Sequence, residues 1–209
     1  LITDVFIIAI MKTSVISKEF RDRYLSNPKH PNVFNGKAVV FEGPEDYHKR
    51  LNSKKLNIDE NSVLIVRGCG PVGYPGSAEV INMQPPDRLL KKGINTLPTL
   101  GDGRQSGTSA SPSILHVSPE SAVGGDLGIV KTGDKIKIDL NKRRVDLLIS
   151  QAEFKNRRKK RKKFKINNQT PWQEIFRDTV GQLEDGACIK SRGIYLKVST
   201  SKGIPRDSH

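Results

Sequence analysis

Two glycine-framed loops hold the residue types that could do chemistry. The first runs from Arg67 to Glu79 (RGCGPVGYPGSAE), with four glycines, two prolines and a single closing carboxylate, Glu79. Such a backbone can take an unusual path and bring main chain close to a ligand; an ordinary surface turn ending in a solvated Glu79 has the same composition. The second loop runs from Leu100 to Ser113 (LGDGRQSGTSASPS) and sets five hydroxyls, Asp102 and Arg104 on a glycine frame. Successive backbone N–H groups there could cradle a carboxylate or phosphate, and a flexible solvated turn is the competing reading. No Gly-Lys-Ser/Thr follows, so this is not a nucleotide P-loop, and the G-x-G lacks the third glycine of a dinucleotide fingerprint. Ser106 could act as nucleophile or base, but the loop has no histidine to activate it. His116, ten residues further on in SILHV, reads as a core or rim histidine.

Elements able to position these loops are mostly strands. β-branched runs bounded by turns are expected as strands at Phe6–Met11, Ala38–Phe41, Ser62–Arg67, Lys135–Leu140, Val145–Ile149 and Ile194–Val198. A meander is expected around residues 128–149, because turn signals flank IKIDL. Helices are expected after Pro44, over Pro86–Lys92, and from Ser150 into the basic segment. A further one starts at Thr170-Pro171, with Gln173 as capping-box partner. Its apolar face is expected to be Ile175, Phe176, Val180 and Leu183, and Asp185-Gly186 to end it. This strand-heavy pattern argues for a β-barrel or sandwich over a doubly wound sheet.

Charge and cysteine usage narrow the function classes. The chain has 209 residues, 36 Lys and Arg against 22 Asp and Glu, and a net charge of +14. Nine of those positive charges fall in KNRRKKRKKFK at 155–165, leaving a remainder of ordinary charge. The segment reads as a solvated connector or as a patch for nucleic acid or another polyanion; only Phe164 is interleaved for stacking, so sequence-specific readout has no support. Two cysteines, Cys69 and Cys188, exclude a disulfide scaffold, a four-cysteine zinc site and a complete iron–sulfur ligand set within this chain. The apolar run Val5–Met11 is far shorter than the roughly 20 residues of a membrane span, and no basic region precedes it. A soluble, cytoplasmic setting is expected, with no membrane partner. Because the sequence begins without Met in what reads as a strand, it is expected to be a fragment or the tail of a longer protein.

The longer motifs carry a resemblance. NMQPPDRLLKKGI, GDGRQSGTSASPSILHVSPESAVGGDLGIVKTGDKIKIDL and the ending IPRDSH resemble the C-terminal part of the dihydroxy-acid dehydratase / phosphogluconate dehydratase family. GCGPVGYPGSAEVINMQPP and QTPWQEI look most like its sugar-acid branch, which dehydrates aldonic acids such as D-xylonate. The resemblance implies a mainly β domain with flanking helices, a swivelling-type β-barrel (β/β/α). It divides the chain into a barrel at 1–150, a basic helical connector at 151–169, and a C-terminal helix and strand at 170–209. A separate N-terminal domain would supply the iron–sulfur cluster and most magnesium ligands, and the full enzyme would be a homo-oligomer. Glu79 matches the C-terminal magnesium ligand, and Ser106 the serine whose alkoxide removes the C2 proton. Gly107 and Thr108 would support Ser106 from behind. Ala110 stands where the sugar-acid branch usually has glycine, and His116 where it usually has asparagine. Cys69 is expected to pack near the site without binding the cluster, and Cys188 has no assigned role.

These implications make the chain part of a hydro-lyase that forms a 2-keto-3-deoxy acid and is incomplete on its own. Two alternatives stay open: a dihydroxy-acid dehydratase of branched-chain amino-acid synthesis, and a non-catalytic barrel whose basic run binds nucleic acid or another polyanion.

Overall fold

The computed structural model describes residues 8–75, 83–104 and 113–190. Its seven strands are β1 (Ile8–Met11), β2 (Val33–Glu42), β3 (Ser62–Arg67), β4 (Thr99–Gly101), β5 (Ser113–Ser118), β6 (Lys135–Asp139) and β7 (Arg144–Leu147). They form one mixed sheet in the order β1-β5-β4-β3-β2-β6-β7. The unbroken apolar run of β3 marks a strand covered on both faces, and Val63, Leu64, Ile65 and Val66 are all buried. β3 is parallel to β2 and to β4, and β4 is parallel to β5. β1, β6 and β7 add antiparallel margins. The sheet curls into a half-barrel, with its edge strands β1 and β7 facing each other across a cleft lined by Ile10, Met11, Leu140 and Val145.

The β6–β7 meander forms where the turn signals placed it, with Ile136 opposite Leu147. β4 and β5, in contrast, lie in segments read as glycine loop and apolar stretch. β4 has only three residues, so local propensity cannot declare it; β3 and β5 on either side hold it. The parallel centre was likewise not expected from a pattern read as barrel or sandwich. The expected strand Ile194–Val198 lies outside the described residues.

Among the described residues five α-helices flank the sheet: α1 (Lys18–Phe20), which continues into a π-helical turn at Arg21–Leu25, α2 (Pro44–Arg50), α3 (Asp87–Leu90), α4 (Gln151–Lys159) and α5 (Pro171–Thr179). The α1 turn buries Phe20 and Tyr24 against Phe34 of β2, with ring centroids 4.6 and 5.0 Å apart along the chain of three rings. Ser150 caps α4 by accepting from the Glu153 N–H at 3.2 Å. Thr170 caps α5 as expected, but the Gln173 side chain accepts from the Gln169 N–H at 2.6 Å instead of closing the box on Thr170. The expected packing face of α5 holds at Val180, which is buried, and is corrected at Ile175, which is 52% exposed; Arg177 is the buried residue within the helix, which ends at Thr179 and not at Asp185-Gly186.

Candidate active-site face

β3 and β4 are adjacent and parallel, with Val66 paired to Gly101, so both glycine loops leave the same end of the sheet side by side. The carboxyl ends of parallel strands are where open α/β sheets bind ligands. Asp102, the first residue after β4, is fully buried and ties the two loop roots together. Its carboxylate accepts from the Gly68 N–H at 3.0 Å and the Cys69 N–H at 2.8 Å. It also takes the Ser121 N–H at 2.9 Å and the Ser121 hydroxyl at 2.6 Å.

A second buried carboxylate, Glu120, fixes the middle of the first loop. It accepts from the Val72 and Gly73 N–H groups, both at 2.8 Å, and from the Gln182 side-chain amide at 2.8 Å. The Glu120 N–H in turn donates to Gln182 Oε1 at 2.9 Å. Burial raises the Glu120 pKa above the ordinary carboxylate value, with the N–H donors opposing and the neighbouring Asp102 charge adding to the rise. Gly70 is required here, because a Cβ at that position would stand 2.6 Å from the Glu120 Cβ.

From the other side, Arg177 of α5 donates through Nε to the Val72 carbonyl at 2.7 Å, and through Nη1 to the Asn167 carbonyl at 3.0 Å and to Asn168 Oδ1. Arg67, at the loop's start, donates to the carbonyls of Leu127, Gly128 and Val130 at 3.1, 3.0 and 2.8 Å, and pairs with Glu42. The loop is therefore held by two carboxylates and two guanidinium groups up to Gly73, six residues before Glu79.

Glu79, Ser106, Gly107 and Thr108 themselves lie outside the described residues. What the structure shows is the frame from which their segments depart. Asp102 was noted in the sequence only as part of its loop, and Glu120, Gln182 and Arg177 were not singled out. For Glu120 a signal existed: a lone acid after Ser-Pro in a stretch otherwise free of charge. Arg177 offered none, because a single arginine on an amphipathic helix reads as solvated.

Cys69 is buried in the loop root, and burial pushes its thiol pKa well above the ordinary range, with the Asp102 charge adding to this. It is a neutral packing thiol. His116 sits in β5 with φ +58°, its N–H donating to the Gly103 carbonyl at 2.9 Å at the root of the second loop. Its Nε2 is buried and makes no hydrogen bond among the described residues. Burial lowers its pKa, and Arg104 lowers it further.

The basic segment is more than a solvated connector. Arg157, with 11% of its side chain exposed, makes a forked pair with Asp134 and also holds Glu153. Arg158 forks onto Asp126 at 2.6 and 2.7 Å, and Arg161 donates to the Gly124 carbonyl. The Phe164 ring lies on Gly68, where a Cβ would come within 2.8 Å of it. Helix α4 and the residues after it thus form a strap docked beside the first loop.

The profile of dihydroxy-acid/6-phosphogluconate dehydratase C-terminal domains matches residues 7–187, most of the chain. The chain belongs to this family. The D-xylonate dehydratase of Caulobacter vibrioides is 52% identical over 206 residues, covering 99% of this chain and 34% of that relative. The L-arabinonate dehydratase of Rhizobium leguminosarum is 39% identical over 183 residues, covering 86% of the chain and 30% of its own length. A dihydroxy-acid dehydratase of Saccharolobus solfataricus is 39% identical over 127 residues, 61% of the chain and 22% of that relative. The chain thus spans about a third of the length of these curated relatives.

The described residues do not make up a complete site for the family's cofactors. A cluster needs three or four thiolates, and the two cysteines here do not fit, since Cys69 is buried and held protonated. Among the described residues no three His, Cys, Asp or Glu side chains gather as a metal site. Asp102 and Glu120 are already occupied by N–H donors. No described helix is long and apolar enough to cross a membrane.

Proposed function

We propose that the chain completes the active site of a sugar-acid dehydratase that converts an aldonic acid such as D-xylonate to its 2-keto-3-deoxy acid. The reading rests on one observation above others: the Glu79 and Ser106 segments leave adjacent parallel strands at the same sheet end, and Asp102 bonds both loop roots. The 52% identity to a D-xylonate dehydratase favours the sugar-acid branch over the dihydroxy-acid one.

In this reading Ser106, as alkoxide, takes the C2 proton. The C2–H electron pair forms the C2–C3 double bond, the C3 hydroxyl departs, and the resulting enol ketonises at C2. A serine is far too weak a base in water, so the main-chain donors of Gly107 and Thr108 and a nearby cation must stabilise its alkoxide. Glu79 contributes one carboxylate to the magnesium site. When bound, the iron–sulfur cluster and magnesium supply Lewis acidity toward the leaving hydroxyl and the enolate charge. The cluster ligands come from the N-terminal domain of the complete enzyme, itself a homo-oligomer. Within the chain, 1–150 is the covering barrel, 151–169 the connector and 170–209 the closing segment.

The test is Ser106→Ala and Glu79→Gln in the complete enzyme. Both are expected to abolish turnover while leaving circular dichroism and thermal stability unchanged. Full activity in either variant would remove that residue from the mechanism.

A further inference from the structure

Between the strap and the segment Gly128–Lys131 lies a cavity of about 610 Å³, within the range of small-ligand sites. Its wall includes Arg67, Lys131, Lys160, Lys162, Lys163 and Lys165. One acid, Glu42, lines it, and that carboxylate is spent on Arg67 with both oxygens 3.0 Å from Nε. Asp134, Glu153 and Asp126 are likewise spent on Arg157 and Arg158. The side-chain ammonium groups of Lys160, Lys162, Lys163 and Lys165 have no ion-pair or hydrogen-bond partner among the described residues.

We propose that this cavity binds a compact polyvalent phosphate anion, of pyrophosphate size or a little larger. Four unpaired ammonium groups around one concavity repel each other, and a multivalent anion relieves that repulsion at several points at once. A monovalent carboxylate cannot bridge them. A nucleic-acid strand is a poor fit, because the arginines that would track its backbone are committed to internal acids and carbonyls, and Phe164 is turned onto Gly68. The binding claim itself does not depend on the dehydratase reading.

The probe is inorganic pyrophosphate, titrated calorimetrically into the 209-residue chain at 50 and at 200 mM salt. One site per chain is expected, weaker at the higher salt. The pair Lys160→Gln/Lys163→Gln should lower affinity by about tenfold, the order of two solvent-exposed charge contacts. Lys29→Gln/Lys54→Gln, exposed lysines elsewhere, should leave it unchanged. Several weak sites, or equal losses in both pairs, would overturn the proposal in favour of diffuse surface charge. So would a single-stranded 20-mer oligonucleotide binding more tightly than pyrophosphate, which would make the strap a nucleic-acid contact.

Discussion

Arg177 offers the sharpest test of how the first loop is held. The residue is 9% exposed, and its side chain joins three pieces of chain: α5, the strap at Asn167 and Asn168, and the loop carbonyl of Val72. Arg177→Met keeps most of the volume but leaves the Val72 carbonyl without its charged donor. A hydrogen bond to a charged group contributes about 1.5–3 kcal/mol, and an orphaned buried acceptor costs about 1–3 kcal/mol. Some of these groups will regain water, so we expect a loss of about 2–4 kcal/mol, or roughly 5–15 °C in melting temperature for a chain of this size. Arg177→Lys retains the charge but not the planar fork. It can satisfy Val72 or Asn167 but not both, and should lose about half as much. Urea unfolding gives the magnitude, and hydrogen exchange gives the location. The Val72 and Gly73 amides, bonded to Glu120 in the native chain, should exchange faster in Arg177→Met even after correction for the global loss. If Arg177→Met stays within about 0.5 kcal/mol of the parent, as a neutral surface substitution would, the clamp does not exist.

Other expectations concern protons and thiols. Burial holds the Glu120 carboxyl above its ordinary 4.5, so just above that pH the native state binds more protons than the unfolded one. Stability from this group is therefore full below 4.5 and lost as pH rises through the higher native value; urea titrations across this window should show Glu120→Gln flattening the slope, and parallel curves would refute the assignment. His116 behaves in the opposite way. Its native pKa lies below the ordinary 6.5, so stability falls as pH drops under 6.5, where only the unfolded chain takes up the proton. His116→Asn should remove that decline, and a decline persisting unchanged would place its origin elsewhere. A thiol reagent should modify Cys188 quickly and the buried, protonated Cys69 only on unfolding; two fast equivalents would contradict the packing of the loop root.

Much of the scaffold could be read from residues because pattern and tertiary structure agree there. VLIV at 63–66 is apolar at every position and becomes a strand covered on both faces. Thr170-Pro171 and Ser150 each start a helix through their own side chains. The reading failed where an element exists only by virtue of its neighbours. Three residues of β4, one of them glycine, carry no signal of their own, and missing β4 concealed the parallel centre. The same limit applies to the site. The glycine loops were visible by composition, but the groups that fix the first of them, Glu120, Gln182 and Arg177, bond across 47 to 105 positions of sequence, and only the fold brings them together. The strap shows a different failure. Its arginines Arg157, Arg158 and Arg161 are internal ligands, whereas the side chains of Lys160, Lys162, Lys163 and Lys165 make no ion pair among the described residues, a division that net charge alone does not show.

The central claim is that this face completes a sugar-acid dehydratase. It is tested most directly by dehydration of D-xylonate, read as 2-keto-3-deoxy acid formed. The assay uses the chain alone, then the chain mixed with a cluster-loaded N-terminal half of the Caulobacter vibrioides relative. Turnover only in the mixture, lost with Ser106→Ala, is the predicted result. A mixture that assembles with a well-folded chain yet forms no keto acid would contradict the account, as would turnover by the chain alone.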